Sequence, residues 1–178
     1  MSRRATATFG CGSFWTKRRL FGALHGVTDV RVGYMGGTTL NPTQQQVAQK
    51  TTGHTEVVEV TYDPDQTRFP QLLKAFFSFH DATRDRSGKG GQYRSVVFCR
   101  KAKEEIIAKR AIELLRREGL EVTTRVESAQ IFWEAAPSPQ RGTARTLRAA
   151  DDRDAPSTRL AGLSLVEAAR LTPLAAVA

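Results

Sequence analysis

Ala7-Thr8-Phe9-Gly10-Cys11-Gly12-Ser13-Phe14-Trp15 is an apolar segment that breaks at glycines and restarts on an aromatic pair. Residues 5–9 have strand composition, Gly10 and Gly12 supply a turn, and Phe14-Trp15 opens a helix running to residue 24. Such a strand-turn-helix aims backbone N–H groups and the positive end of the helix dipole at one point, where an anion or a nucleophile is stabilised. Ser13 and Cys11 are the candidate nucleophilic side chains at that turn. Each also has a structural reading: serine is a good helix N-cap, and a cysteine packs as a small apolar residue beneath a helix.

Downstream, residues 27–34 alternate with period two, as a half-buried strand does, and Gly36-Gly37 opens a polar loop to about residue 53. Residues 55–62 (Thr-Glu-Val-Val-Glu-Val-Thr-Tyr) form a second strand, in which Glu56, Val58 and Val60 share one face. Residues 69–80 form an apolar helix with Pro70 in its first turn. A glycine-rich charged loop over residues 81–91 leads to a strand at 93–99, an amphipathic helix at 102–118 closed by Gly119, and a last strand at 122–128. The order β-α-β-β-α-β-α-β predicts an α+β fold, a ferredoxin-like two-layer sandwich with helices packed on a mixed sheet.

At 178 residues with 40% hydrophobic and 25% charged content, the chain suits one globular domain. Residues 1–135 are read as that domain. Residues 136–178 hold eleven alanines but no lysine and no aromatic residue, and are read as a divergent, poorly ordered tail. No apolar run approaches the roughly 20 residues of a membrane span. The first residues, Met1-Ser2-Arg3-Arg4-Ala5-Thr6, lack the apolar core of a secretion signal, so a cytoplasmic protein is expected, and it is expected to be a monomer. The cysteines, Cys11 and Cys99, form no CxxC pair, and His25, His54 and His80 have no metal-ligand spacing, so no metal is expected. The net charge of +9 gathers at Arg3-Arg4, at Lys17-Arg18-Arg19 and over residues 100–117. Without interleaved aromatic residues it reads as solvated helix faces, and no specific nucleic-acid partner is expected.

Five further motifs occur in order: Gly33-Tyr34-Met35-Gly36-Gly37, Asn41-Pro42-Thr43, Thr52-Gly53-His54-Thr55-Glu56, His80-Asp81 and Gln92-Tyr93-Arg94-Ser95. With the Gly-x-Phe-Trp turn, this series resembles the peptide methionine sulfoxide reductase A family over about residues 5–135. The resemblance implies thiol-dependent reduction of the S epimer of methionine sulfoxide, free or protein-bound, to methionine. In that chemistry a thiolate at the helix start attacks the sulfoxide sulfur, a carboxylic acid protonates the departing oxygen, and the enzyme is left as a sulfenic acid. By that resemblance Ser13 stands at the nucleophile position, where the family carries cysteine; Cys11, about 6–7 Å away along an extended chain, is the nearby thiol that could substitute if the glycine turn shifts.

The resemblance further assigns Phe14 and Trp15 to the pocket for the S-methyl group, Glu56 to the general acid, and Tyr93 to the sulfoxide oxygen. Core packing is the alternative for the aromatic pair, and a surface strand position is the alternative for Glu56. Burial between valines would favour the acid form that such a catalyst needs. Gln44 stands where the family has a second site tyrosine, and Gly88-Lys89-Gly90-Gly91 lacks an expected aspartate. No organic cofactor is implied, only an external thiol reductant, thioredoxin or a dithiol. The tail contains no cysteine for recycling. Two other functions stay open on sequence alone: a catalytically impaired relative that keeps the substrate pocket, and a basic interaction module.

Overall fold

The computed structural model describes residues 3–84 and 91–137. It is built on Thr55–Tyr62, a run rich in β-branched residues that is buried along almost its whole length and becomes a central strand. In chain order the elements are β1 (Ala5–Cys11), α1 (Phe14–Gly22), β2 (Val27–Met35), α2 (Gln44–Ala48), β3 (Thr55–Tyr62), α3 (Phe69–Ser78), β4 (Ser95–Cys99), α4 (Ala102–Arg117), β5 (Arg125–Ser128) and β6 (Trp133–Glu134). The six strands form one sheet in the order β5-β4-β1-β3-β2-β6. Every pairing is antiparallel except β4 with β5, which is parallel, so the sheet is mixed and the α+β expectation holds.

Alternation sorts the strands into two faces. Ala7, Phe9 and Cys11 of β1, Val30, Val32 and Tyr34 of β2, and Val58, Val60 and Tyr62 of β3 join the apolar residues of α3 and α4 in the main core. Phe9 is fully buried and its ring stacks on those of Phe21, Phe69 and Phe76, with centroids 5.3, 6.2 and 5.2 Å apart. The opposite face holds a smaller cluster of Met35, Val57, Val96 and Phe98, against which Ala129 and Phe132 pack.

Several boundaries differ from the sequence expectation. The polar loop at 36–53 contains α2, because Thr43 and Gln46 form a capping box. The Thr43 hydroxyl accepts from the Gln46 N–H (3.2 Å), and the Thr43 N–H donates to Gln46 Oε1 (2.8 Å). β1 extends past Phe9, since Gly10 and Cys11 pair with Val96 and Ser95. β4 starts at Ser95 rather than residue 93, because residues 91–94 close a turn from the Arg94 N–H to the Gly91 carbonyl (3.1 Å). β5 starts at Arg125; before it, the Thr123 N–H donates to the Ala82 carbonyl (2.8 Å) instead of joining the ladder. The expected loop at 85–90 and the tail beyond 137 lie outside the described residues.

Candidate active site

β1 delivers the chain to Gly12, whose φ of +88° lies in the left-handed region open to glycine. Ser13 follows in extended conformation as the residue preceding α1. It holds the N-cap position, but its hydroxyl makes no capping hydrogen bond. The first N–H of the helix is satisfied from across the sheet instead: the Phe14 N–H donates to Glu56 Oε2 at 3.1 Å. Glu56 is 3% exposed and belongs to β3, so it is not a surface strand residue. The carboxyl group therefore lies one peptide from Ser13, at the positive end of the α1 dipole.

The β1–β3 ladder ends at Phe9 opposite Val58. Beyond it, Gln92 takes the place beside β3. The Gln92 carbonyl accepts from the Glu56 N–H (2.9 Å) and from the Thr55 hydroxyl (2.8 Å), while Gln92 Nε2 donates to Glu56 Oε1 (3.0 Å). Each oxygen of the Glu56 carboxyl group thus accepts an amide N–H, one from the helix and one from Gln92.

Tyr34 of β2 lies opposite Glu56 in the β2–β3 register. It is 2% exposed, and its hydroxyl pKa is pushed up to about 12 by burial first, with the Glu56 charge and Tyr93 adding to it. Its phenol therefore stays protonated, and able to donate, at every physiological pH. Tyr93, adjoining Gln92, is half-exposed. Phe14 packs edge-on to Trp15 (5.1 Å between centroids) and tilted on Tyr34 (5.7 Å). Phe14 is 1% exposed, whereas Trp15 remains half-buried, so Trp15 is the member of the pair with surface left to offer. Tyr34 and Gln92 are the site residues that sequence reasoning missed. The period-two pattern puts Tyr34 on the face of Val30 and Val32, but its neighbour across the ladder is readable only from the register.

The surroundings are tied down by polar side chains. Buried His54 accepts the Gly37 N–H at Nδ1 (3.0 Å) and lies 2.7 Å from the Thr39 carbonyl at Nε2, which makes Nε2 the protonated nitrogen by assignment. His80 contacts the Phe76 carbonyl and the Ser95 hydroxyl at 2.7 Å each. Among the described residues no group of three or more His, Cys, Asp or Glu side chains can hold a metal ion. Gln44 is exposed at the start of α2.

The cysteines are placed differently from Ser13. Cys11 is 2% exposed, opposite Ser95 in the ladder and inside the main core. Cys99 is buried on β4, and its thiol pKa is pushed up to about 12, chiefly by burial and further by Glu104 and Glu105. Along α4, Lys109 pairs with Glu105 and Arg117 with Glu113. Part of the basic run is thus matched by acids on its own helix. Among the described residues no helix is long and apolar enough to cross a membrane.

A family model described as peptide methionine sulfoxide reductase matches residues 5–146. The peptide methionine sulfoxide reductase MsrA of Acidobacterium capsulatum is 45% identical over 143 residues, covering 77% of this chain and 92% of that protein. The MsrA of Methanothermobacter thermautotrophicus is 43% identical over 141 residues, covering 76% and 83%. Among solved structures, methionine sulfoxide reductase A of Corynebacterium diphtheriae is similar with a TM-score of 0.66 at 29% identity, covering 79% of this chain and 80% of that one. Mxr1 of Saccharomyces cerevisiae in reduced form shares the fold with a TM-score of 0.71 at 24% identity, covering 81% and 91%.

Proposed function

The chain belongs to the peptide methionine sulfoxide reductase family, and from that premise we propose that its α1 terminus is the site of thiol-dependent reduction of methionine-S-sulfoxide, free or in proteins, to methionine. The observation that carries the proposal is the buried Glu56 carboxyl group bound to the first N–H of α1 at 3.1 Å, one peptide from Ser13. In the proposed reaction the sulfoxide S–O bond breaks, the sulfur recovers an electron pair, and the oxygen leaves onto a thiol as a sulfenic acid. Two external thiol groups, both supplied by one molecule of thioredoxin or of a small dithiol, then return the sulfenic acid to thiol with release of water and formation of a disulfide. Glu56 delivers the proton to the departing oxygen, Tyr93 and Tyr34 bind that oxygen, and Trp15 with Phe14 receives the S-methyl group.

Ser13 has no sulfur and cannot become a sulfenic acid, so it marks the nucleophile position without supplying the nucleophile. Within the chain the thiol nearest in sequence is Cys11, and its 2% exposure in the core opposes that role. This burial favours a second reading, a relative that keeps the sulfoxide pocket and has lost turnover. Reductase assays on the chain and on Ser13→Cys with excess dithiol separate the two. Turnover in the unmodified chain that disappears in Cys11→Ala supports the displaced thiol. Turnover in Ser13→Cys alone supports the impaired relative, and turnover in neither rejects the site.

The remaining expectations are part of the same proposal: a cytoplasmic monomer that repairs oxidised methionine, with its working domain in residues 1–135 and no site residue in 136–178. An interaction module acting through the +9 charge is the competing class, and salt-sensitive nucleic-acid retention without sulfoxide binding would identify it.

A further inference from the structure

The carboxyl group proposed as the acid is gripped by a residue to which that function gives no role. Gly91, with φ of +69°, and the hydrogen bond from the Arg94 N–H to the Gly91 carbonyl (3.1 Å) shape the turn that carries Gln92. Arg94 Nη1 locks this turn to the entrance of β3, donating to the Gly91 carbonyl (3.3 Å) and to the Gly53 carbonyl (3.1 Å). From this braced turn Gln92 reaches Glu56 twice, through its backbone carbonyl (2.9 Å) and through its side-chain Nε2 (3.0 Å). We propose that Gln92 is the positioning residue for Glu56, holding its carboxyl group against the start of α1 in the orientation from which a proton is delivered. The inference rests on the reading of Glu56 as the acid.

Three features single out glutamine. Its side chain is 7% exposed, so the amide has no solvent to turn toward. Only Nε2 can face Glu56 Oε1 favourably, since an amide oxygen there would oppose a carboxylate; this fixes the assignment of the amide. An N–H donates more strongly to a carboxylate than to a neutral acid, so Gln92 and the Phe14 N–H both favour the charged form, against burial, which favours the neutral one. With one lone pair on each oxygen already taken, the proton is confined to the directions left open. Tyr34, opposite Glu56 in the β2–β3 register, interacts electrostatically with that carboxyl group, and Tyr93 acts on Tyr34 in turn.

The test is a carbon-13 NMR titration of the Glu56 carboxyl group in the full chain, assigned by its loss in Glu56→Gln. Gln92→Met keeps nearly the same volume but removes the donor. It should move the Glu56 midpoint upward by about one to two pH units, the equivalent of losing a hydrogen bond to a charged group. Gln92→Glu places two carboxyl groups within sharing distance of one proton, so Glu56 should titrate as a coupled pair in two widely spaced steps. At low pH, where its protonated carboxyl donates as the amide does, Gln92→Glu should regain the unmodified chemical shifts around Glu56. A Glu56 midpoint unmoved in folded Gln92→Met overturns the proposal, as does a single unmoved step in Gln92→Glu, which decides the matter if the methionine variant does not fold. Full turnover in Ser13→Cys combined with Glu56→Gln would instead remove the acid reading and leave the titration result standing.

Discussion

β3 carries two buried carboxyl groups three residues apart, on opposite faces of the sheet, and their surroundings differ in kind. Glu59 is 7% exposed and lies between two guanidinium groups: Arg31 pairs with one oxygen and Arg100 Nη2 with the other at 2.8 Å. Arg100 also reaches the Thr8 hydroxyl at 2.8 Å, and the Arg31 pKa is raised, chiefly by its hydrogen bond to Glu59. Glu56 faces the helices, and the donors described for its two oxygens are uncharged amides. Through its two ion pairs Glu59 ties β3 to β2 and to Arg100, the residue that follows β4. Glu56 instead accepts from the first N–H of α1 and from the Gln92 amide, at the helix start proposed as the reaction site. The same residue type on the same strand is thus a structural tie on one face and the proposed acid on the other.

The largest expected effect is on turnover. In the Ser13→Cys background, Glu56→Gln should lower kcat by about 10²–10⁴-fold, the usual contribution of general acid catalysis, with sulfoxide binding largely kept. Glu59→Gln in the same background should leave kcat within about twofold, because Glu59 lies on the other face. Equal losses in the two variants would erase the distinction. For Glu59 the effect should appear in stability instead. Removing one partner of a buried pair costs about 3–5 kcal/mol, and partial solvent exposure of both arginines reduces this to about 1–3 kcal/mol. Denaturant melts of Glu59→Gln beside Glu56→Gln measure that difference.

Alkaline pH probes the tyrosine opposite Glu56. Tyr34 titrates near 12 in the folded protein against an ordinary 10.0. Between those values the folded state keeps a proton that the unfolded chain releases. Its contribution is therefore intact below pH 10 and lost as the pH rises to 12, at about 1.4 kcal/mol per unit. Cys99, moved from 9.0 to about 12, acts in the same direction from pH 9 upward. Tyr34→Phe should flatten part of this loss by about 2–3 kcal/mol, and identical alkaline melts for both proteins would contradict the burial of the phenol. The smallest effect belongs to the tail: truncation after Ala135 should leave the melting temperature and sulfoxide binding nearly unchanged. Loss of the cooperative transition would show that the tail completes the core.

These contrasts also show what a single sequence reveals. Glu56 was legible on the face of Val58 and Val60 from alternation alone, and the apolar helix from residue 69 was legible from its spacing. The Thr43–Gln46 capping box was written in the chain and passes unnoticed inside a polar stretch. The hydroxyl of Ser13 suggested a cap, but Glu56, 42 residues from Phe14 in the chain, occupies that place. Tyr34 and Gln92 could not be assigned, because their meeting with Glu56 depends on strand register and on a turn braced by Arg94. Those are long-range geometries that no local pattern encodes.

We propose that the α1 terminus with Glu56 is a sulfoxide-reducing site whose nucleophile position, Ser13, lacks a sulfur. This reading is tested most directly by assaying the full chain beside Ser13→Cys on methionine-S-sulfoxide with excess dithiol. Ser13→Cys should gain turnover far above the unmodified chain, and adding Glu56→Gln should take most of that gain away. A folded Ser13→Cys protein with no turnover would contradict it.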